Sequence, residues 1–219
     1  MKSSITISAA ALLVGLALSS PAMGAIAWSN ATGSTSLFSW SDGQTNNGLF
    51  GDPTISGNTF VFTPTAFHAT PGNNLTDTIQ VRIVVQPGQS ITSVIIREFG
   101  TRSGTGIQSV TTTFKVKELN VGTLNELSTP APMVTGASTD GGLTRPWTAT
   151  ATHNSSATGY FPFDGSEVFQ ISLTNSLTAI STGTFNRKNR IEIEIVPTPG
   201  SMALLGLAGL VAARRRRAV

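Results

Sequence analysis

The stretch Ile191-Glu192-Ile193-Glu194-Ile195 decides the fold class, because it alternates apolar and charged residues without a break. Successive side chains of a β-strand point to opposite faces, so this pattern places the isoleucines on one face and the glutamates on the other. We therefore predict an antiparallel strand with one face in the core and the other in solvent.

Similar alternating stretches of β-branched and aromatic residues recur through the middle of the chain. They cover residues 60–63, 79–85, 91–99, 110–119 and 168–173. Turn-forming pairs such as Asp42-Gly43 and Pro87-Gly88 separate them. No stretch between residues 28 and 196 shows a helical apolar stripe of ten residues or more. We predict an all-β domain over residues 26–195, a two-sheet antiparallel sandwich of jelly-roll or related Greek-key type, with about 8 to 10 strands.

The segment from about Ser128 to Phe163 lacks this regularity. It contains four prolines, which remove backbone donors from any sheet ladder: Pro130, Pro132, Pro146 and Pro162. We predict a long irregular loop over this segment.

Composition and charge limit the chemistry. The 219 residues include no cysteine, which excludes a disulfide framework, a thiolate nucleophile and a cysteine-ligated metal. The formal net charge is +3, but Lys2 and Arg214 to Arg217 at the two ends account for the excess. Residues 28–196 hold nine cations and eleven acids, a net charge of −2. Because no basic stripe is left to follow a phosphate backbone, we expect no nucleic-acid partner.

The N-terminal segment is typical of a secretory signal peptide. Lys2 precedes an apolar core from Ala9 to Leu18, and small residues follow Pro21. This apolar core is far shorter than the roughly 20 residues that a transmembrane helix needs. We expect residues 1–25 to be a signal peptide, with Ala22-Met23-Gly24 and Ala25-Ile26-Ala27 as the alternative cleavage triplets.

The C-terminal segment, residues 196–219, has three successive parts. The first contains two prolines that end the preceding strand and begin an extended connector: Val196, Pro197, Thr198, Pro199 and Gly200. The second, residues 201–213, is apolar on every helical face. As a helix it would be about 20 Å long, against roughly 30 Å for the hydrocarbon core of a bilayer. The third is a cluster of cations that would stay on the cytoplasmic side of the membrane: Arg214, Arg215, Arg216 and Arg217.

This order of Pro-x-Pro-Gly, short apolar helix and arginine cluster resembles the PEP-CTERM sorting signal of bacterial surface proteins. The resemblance is confined to residues 196–219, and Thr198 stands where that family usually has a glutamate. It implies that an exosortase, an integral-membrane cysteine peptidase-like enzyme, processes the tail of a protein bound for the cell surface or the extracellular matrix. A plain C-terminal membrane anchor without processing is the alternative, and both interpretations place the domain outside the cytoplasm.

The sequence nominates no catalytic, cofactor-binding or metal-ligating residue. His68 and His153 are the only histidines, and neither has a metal-ligand partner nearby in sequence. No Gly-x-Ser-x-Gly motif nominates a nucleophilic serine. Asp140 and Asp164 each precede a glycine in a predicted turn, which offers too few oxygens for calcium. Four glutamates alternate with apolar residues in predicted strands, so we place them on solvated sheet faces: Glu98, Glu118, Glu192 and Glu194.

The three tryptophans are the candidates for contact with a ligand. An indole of Trp28, Trp40 or Trp147 would offer a flat apolar face for stacking on a sugar ring. A place in the sandwich core is the favoured alternative for all three. Trp147 follows Pro146 in the irregular segment, which makes it the ligand candidate to test first.

Together these features predict an exported bacterial cell-surface or extracellular-matrix protein with a non-catalytic β-sandwich, sorted and processed through its tail. The alternative is a carbohydrate-binding module or a polysaccharide-acting enzyme at the cell surface. The expected partners are an exosortase-like processing enzyme, extracellular polysaccharide, and the membrane, which the C-terminal helix contacts transiently or as a lasting anchor. No cofactor is expected.

Overall fold

The computed structural model describes residues 24–104, 106, 108–119, 126–130, 134–135, 144–154 and 168–198. The expected signal peptide up to residue 23 and the tail beyond Thr198 lie outside these described residues. Asp140 and Asp164, weighed above as calcium ligands, also lie outside them.

The described residues form fourteen β-strands and no helix. Their bounds are β1 (Ile26–Ala27), β2 (Gly33–Ser34), β3 (Phe38–Thr45), β4 (Thr54–Ser56), β5 (Thr59–Phe62), β6 (His68–Ala69), β7 (Asn73–Val85), β8 (Ile91–Ser103), β9 (Gln108–Glu118), β10 (Glu126–Pro130), β11 (Val134–Thr135), β12 (Arg145–Asn154), β13 (Val168–Ala179) and β14 (Phe185–Pro197). Within the described ranges, therefore, no helix has the length and apolar character to cross a bilayer.

The strands pair into two antiparallel sheets that face each other. Sheet A has the order β1-β3-β7-β13-β9-β10, with β2 beside β3 and β11 beside β9. Sheet B has the order β12-β8-β14-β5-β4, with β6 beside β14. The pairing confirms the predicted all-β, two-sheet antiparallel sandwich.

β13 illustrates how the sequence builds sheet A. Its residues alternate between half-buried and buried along the whole strand, with Phe169, Ile171 and Leu173 fully buried against sheet B. It lies between β7 and β9 and pairs with both over eleven or more residues. An apolar face of this kind stabilises a sandwich only when a second sheet covers it.

The stretch that decided the fold class is the second half of β14, and its prediction is confirmed. Ile191, Ile193 and Ile195 are fully buried. Glu192 and Glu194 lie on the outer face of sheet B, where the Arg97 guanidinium is 3.8 Å from the first carboxylate and 2.6 Å from the second.

The first half of β14 contains a β-bulge. Lys188 pairs with Gly100 and Arg190 pairs with Phe99, so Asn189 is an extra residue without an opposite partner on β8. A bulge inserts one residue and changes which face the following side chains occupy. As a result Lys188 and Ile191, three positions apart, both point into the core.

Two details of the sequence prediction are wrong. The segment predicted as a long loop contains β12, a ten-residue strand that pairs with β8 from Ser93 to Arg102. Pro146 is tolerated there because β12 is an edge strand of sheet B. On its free edge the backbone forms no hydrogen bonds to another strand of the sheet, so the missing N–H of proline costs little. The number of strands among the described residues exceeds the predicted 8 to 10, because several of them are only two or three residues long.

Candidate functional site

A buried ion pair lies between the two sheets. Lys188 Nζ is 2.8 Å from Glu98 Oε2, and the side chains of Lys188 and Glu98 are 0% and 1% exposed. Both residues belong to sheet B, on the neighbouring strands β14 and β8. Removing two charges from water is costly, so a buried pair is kept only where further hydrogen bonds satisfy its atoms.

The Glu98 carboxylate also binds two side chains of sheet A. Thr112 Oγ1 donates to Oε2 at 2.8 Å, and Asn175 Nδ2 donates to Oε1 at 2.9 Å. Thr112 and Asn175 are directly paired across β9 and β13, and both are buried. We call Glu98, Lys188, Thr112 and Asn175 the core polar cluster. It joins the two sheets through a single carboxylate.

Lys188 is enclosed by aromatic rings. Its Nζ is 5.4 Å from the ring centroid of Trp147 and 5.8 Å from that of Phe67. Burial lowers the pKa of the Lys188 ammonium below its ordinary value, while the charge of Glu98 and the hydrogen bond to it act in the opposite direction. Apart from the ion pair with Glu98, Nζ has no hydrogen-bond partner among the described residues, although an ammonium has three donors.

The structure places Trp147, the candidate for sugar contact, in the core at 5% exposure. Its Nε1 donates to Asn186 Oδ1 at 3.1 Å, and its indole lies across Gly100 of the neighbouring strand β8. The indole face is therefore covered by protein and is not open to a sugar ring. Trp147 contributes to the surroundings of the core polar cluster.

The other two tryptophans are also in the core. Trp28 and Trp40 are 4% and 8% exposed. Trp28 packs on Phe62 with the ring centroids 5.3 Å apart, and Trp40 packs on Phe60 at 5.4 Å, both edge to face. These contacts fit the core position that the sequence favoured for the tryptophans.

The expectation that Glu98 lies on a solvated sheet face is wrong. Val94, Ile96 and Glu98 follow one another at every second position of β8, and all three are buried. The alternation along β8 places position 98 on the buried face with Val94 and Ile96. The charge of Glu98 instead favoured a position in solvent. Lys188, Thr112 and Asn175 were not singled out at all, since nothing near them in sequence indicates a partner.

The two histidines lie in different environments. His68 is exposed, and its ring packs edge to face on Phe185 at 5.7 Å. His153, on β12, is 1% exposed, and burial lowers its pKa from 6.5 to about 4. The imidazole of His153 is therefore neutral at physiological pH. The described residues contain no group of three or more His, Asp and Glu side chains placed to hold a metal ion.

The outer face of sheet A is polar and forms a shallow hollow of about 360 Å³. Hydroxyl, amide and ammonium groups from the central strands line it, among them Thr78, Gln80, Lys115, Lys117, Gln170 and Thr174. Thr78 and Thr174 are linked through their hydroxyl groups at 2.9 Å, and Gln44 Nε2 donates to Gln80 Oε1 at 3.0 Å. No carboxylate and no aromatic ring belongs to this lining. We call it the polar face of sheet A.

The first residues of the predicted sorting motif belong to the sandwich. Val196 pairs with Ser93 and Pro197 with Ile91 of β8, and the Thr198 N–H donates to the Ser90 carbonyl at 3.0 Å. Pro199, Gly200 and the arginine cluster lie outside the described residues. The last described strand thus includes the first two residues of the predicted motif.

Comparison with known proteins gives only remote likenesses. No protein-family model and no curated protein matches the chain. The structure of TmCBM61 in complex with β-1,4-galactotriose is 12% identical with a TM-score of 0.27, over 76% of this chain and 96% of that chain. The enzymatically active domain of tailspike protein 4 of bacteriophage CBA120 is 11% identical with a TM-score of 0.20, over 76% of this chain and 19% of that one. A structure of infectious bursal disease virus, Gt strain, is 12% identical with a TM-score of 0.19, over 81% of this chain and 57% of that chain. These likenesses are too weak to assign a topology or an activity.

Proposed function

We propose that this chain is an exported bacterial cell-surface or extracellular-matrix protein, in which a non-catalytic sandwich of jelly-roll or related Greek-key topology is sorted and processed through its tail. The observation that carries the proposal is the position of the strands relative to the two end segments. Every described strand lies between Ile26 and Pro197. The segment with signal-peptide character precedes this range, and the Pro-x-Pro-Gly, apolar and arginine segments follow it almost without a linker.

The three parts of the tail would act in sequence during export. The apolar segment is shorter than a stable transmembrane helix, so it favours a transient membrane anchor over a permanent one. The arginines are too costly to translocate and would keep the C-terminus on the cytoplasmic side until processing. The connector after Thr198 would give the processing enzyme access to the chain, because the sequence predicts that Pro199 keeps it out of regular structure. The domain would then remain at the surface or enter the matrix.

Deletion of residues 199–219 tests this proposal. The deletion begins after the last described residue, so it leaves every hydrogen bond of β14 in place. In a bacterium that carries an exosortase, we expect the full chain in the envelope and matrix fractions with a mass that lacks both ends. The deleted form should lose this location, and a form with Arg214 to Arg217 replaced by glutamine should lose the processed mass. Recovery of the full chain in the cytoplasm, or an unchanged location of the deleted form, would overturn the proposal.

A second function, binding of an acidic polysaccharide, is favoured by the polar face of sheet A. Its hydroxyl and amide groups match the hydrogen-bonding groups of sugars, and Lys115 and Lys117 would pair with uronate carboxylates. Since no aromatic ring lines the hollow, stacking would contribute nothing there, and binding would depend on these polar groups. This is a surface separate from Trp147 and from the core polar cluster.

A binding assay against neutral and uronic-acid polysaccharides tests the second function. We expect binding to the acidic polymers only, weakened by salt and reduced at least about tenfold in the double variant Lys115→Gln/Lys117→Gln. The matched control is Arg187→Gln/Arg190→Gln, which removes the same charge from the exposed side chains of β14 in sheet B. Equal losses in both variants, or no binding by the wild type, would contradict a site on sheet A.

A further inference from the structure

The core polar cluster brings an amine, a carboxamide and a carboxylate together in the apolar interior. Lys188 Nζ lies 2.8 Å from Glu98 Oε2, and Asn175 Nδ2 lies 2.9 Å from Glu98 Oε1. The two nitrogens thus contact the same carboxylate, each through a different oxygen. We propose that Lys188 and Asn175 react to form an intramolecular isopeptide bond, with Glu98 carrying the proton between them.

The unsatisfied groups of the cluster point to the same pair. Asn175 Oδ1 is buried and has no hydrogen-bond partner among the described residues, and Lys188 Nζ has none besides its ion pair. Buried polar groups are nearly always paired, so two unsatisfied groups at one carboxylate call for an explanation. An amide bond between them removes the need to bury an ammonium, which is the most costly group of the cluster.

A second buried carboxamide nearby serves as an internal comparison. Asn186 is two residues from Lys188, but both ends of its side chain are engaged. Its Oδ1 accepts from Trp147 Nε1 at 3.1 Å, and its Nδ2 donates to the Ser109 carbonyl at 2.9 Å. Asn186 does not touch the Glu98 carboxylate in any hydrogen bond between described residues. The geometry therefore selects Asn175 as the acceptor.

The surroundings favour the nucleophilic form of Lys188. An amine attacks a carbonyl only when it is neutral, and full burial lowers the pKa of this ammonium. The rings of Trp147 and Phe67 lie beside Nζ, and the full burial of Lys188 excludes water from it. Exclusion of water also prevents hydrolysis of the carboxamide from competing with attack by the amine. Fixed positions of amine and carboxamide on one folded core make the step intramolecular.

The reaction is balanced without any oxidant or cofactor. The Lys188 ammonium first gives a proton to Glu98, and its neutral Nζ forms a bond with Asn175 Cγ. The Cγ–Nδ2 bond then breaks, Nδ2 takes a proton from the Glu98 carboxyl group and leaves as ammonia. The Glu98 carboxylate then takes the second proton from Nζ, which leaves a neutral amide, and passes it to the departing ammonia. The net change is Lys188 ammonium plus Asn175 carboxamide to secondary amide plus ammonium ion, with Glu98 regenerated as a carboxylate.

The bond would join β13 and β14, the last two of the described strands, across the core. Asn175 is on β13 in sheet A and Lys188 on β14 in sheet B, so the bond would fix the two sheets to each other covalently. In a chain without cysteine it would restrict the unfolded state as a disulfide does elsewhere. The inference rests on the described core alone and does not depend on the proposed export and sorting.

Peptide mass spectrometry of the purified full chain tests the proposal. Trypsin does not cleave before Pro146, so Asn175 belongs to the fragment 118–187, and cleavage after Lys188 is blocked when its Nζ is acylated. We expect residues 118–187 joined to residues 188–190, at about 17 Da below the summed fragment masses because ammonia is lost. Separate fragments from the folded wild type, with Lys188 released by cleavage, would overturn the proposal. Neither fragment includes the ends, so export and tail processing do not affect the result.

Two pairs of variants identify the groups involved. Asn175→Ala should abolish the joined fragment, whereas the matched control Asn186→Ala should keep it. Glu98→Gln retains size but cannot carry the proton, and it should leave the fragments separate. Thr112→Val removes another bond to the same carboxylate and should keep the joined fragment. Circular dichroism verifies that each variant is folded, and a joined fragment that persists in folded Asn175→Ala or Glu98→Gln would contradict the assigned roles.

Discussion

The indole of Trp147 occupies the space that a side chain at Gly100 would fill. A Cβ built on Gly100 would clash with the indole atoms Cε2 and Cζ2 and with the backbone oxygen of Arg187. Gly100 pairs with Trp147 on one side and with Lys188 on the other, so these three residues form one row across β12, β8 and β14. The missing side chain lets the indole cross β8 and reach Asn186 and Lys188.

Gly100→Ala should therefore lower the free energy of unfolding by about 3 kcal/mol, because the added Cβ would overlap the buried indole and the backbone of Arg187. Urea-induced unfolding measures the loss. The matched control is Gly88→Ala, at a turn with φ of +76° and no atom within 4 Å of the added Cβ. Only backbone strain of about 1 kcal/mol is expected there. Equal losses in the two variants would show that the Gly100 row is not packed as described.

The ion pair of the core polar cluster gives a second prediction. It is measured in the Asn175→Ala background, where Lys188 stays unacylated and keeps its charge. There Lys188→Met leaves the Glu98 carboxylate buried without its cation, and loss of one partner of such a pair costs about 3–5 kcal/mol. Adding Glu98→Leu removes both charges and should restore part of the stability lost in Lys188→Met. Urea-induced unfolding again measures the free energy. A further loss on adding Glu98→Leu would mean that Glu98 stabilises the core mainly through Thr112.

The buried His153 predicts a pH dependence of stability. Its pKa falls from 6.5 to about 4 on folding, so the unfolded chain binds a proton at pH values where the folded chain does not. Stability contributed by the neutral imidazole is present above pH 6.5 and is lost as the pH falls toward 4. The free energy of unfolding should fall by up to about 3 kcal/mol across this window, at about 1.4 kcal/mol per pH unit.

The variant His153→Gln isolates this contribution, since glutamine does not titrate. It should reduce the slope of stability against pH between 6.5 and 4 relative to the wild type. The exposed His68, changed to glutamine, is the control and should leave the slope as it is. If His153→Gln kept the full slope, the carboxylates alone would account for the acid sensitivity.

The fold class followed from the sequence because the period of two is a local property. Strand β14 and the strands around Ile79 and Val110 were all placed by alternation, which needs no knowledge of distant residues. Strand β12 is not evident from the sequence because two of its buried positions are alanines, Ala149 and Ala151, which give a weak apolar signal, and because Pro146 interrupts its start. Its backbone is specified by pairing with β8, which is distant in sequence.

The core polar cluster could not be found in this way. Glu98 and Lys188 are ninety positions apart, and a charged residue at an inward position is normally interpreted as facing solvent. Counting backward from Ile191 also places Lys188 on the outer face, since strict alternation does not include the bulge. The identity of Asn189 gives no signal that an extra residue is present there.

The bulge at Asn189 leads to the last prediction. Deletion of Asn189 would convert the bulge into a regular ladder, with Lys188 opposite Gly100 and Arg190 opposite Phe99 as before. The inward positions of Lys188 and Ile191 would be kept, so we expect a cost below about 2 kcal/mol. Deletion of Glu192, in the regular half of the same strand, would instead turn Ile191 outward and Arg190 inward, even if loss of the bulge kept Lys188 opposite Gly100. That protein should fail to fold, since apolar side chains would face solvent and charged ones the core. Thermal unfolding followed by circular dichroism compares the two deletions, and similar damage from both would contradict the assignment of Asn189 as the extra residue.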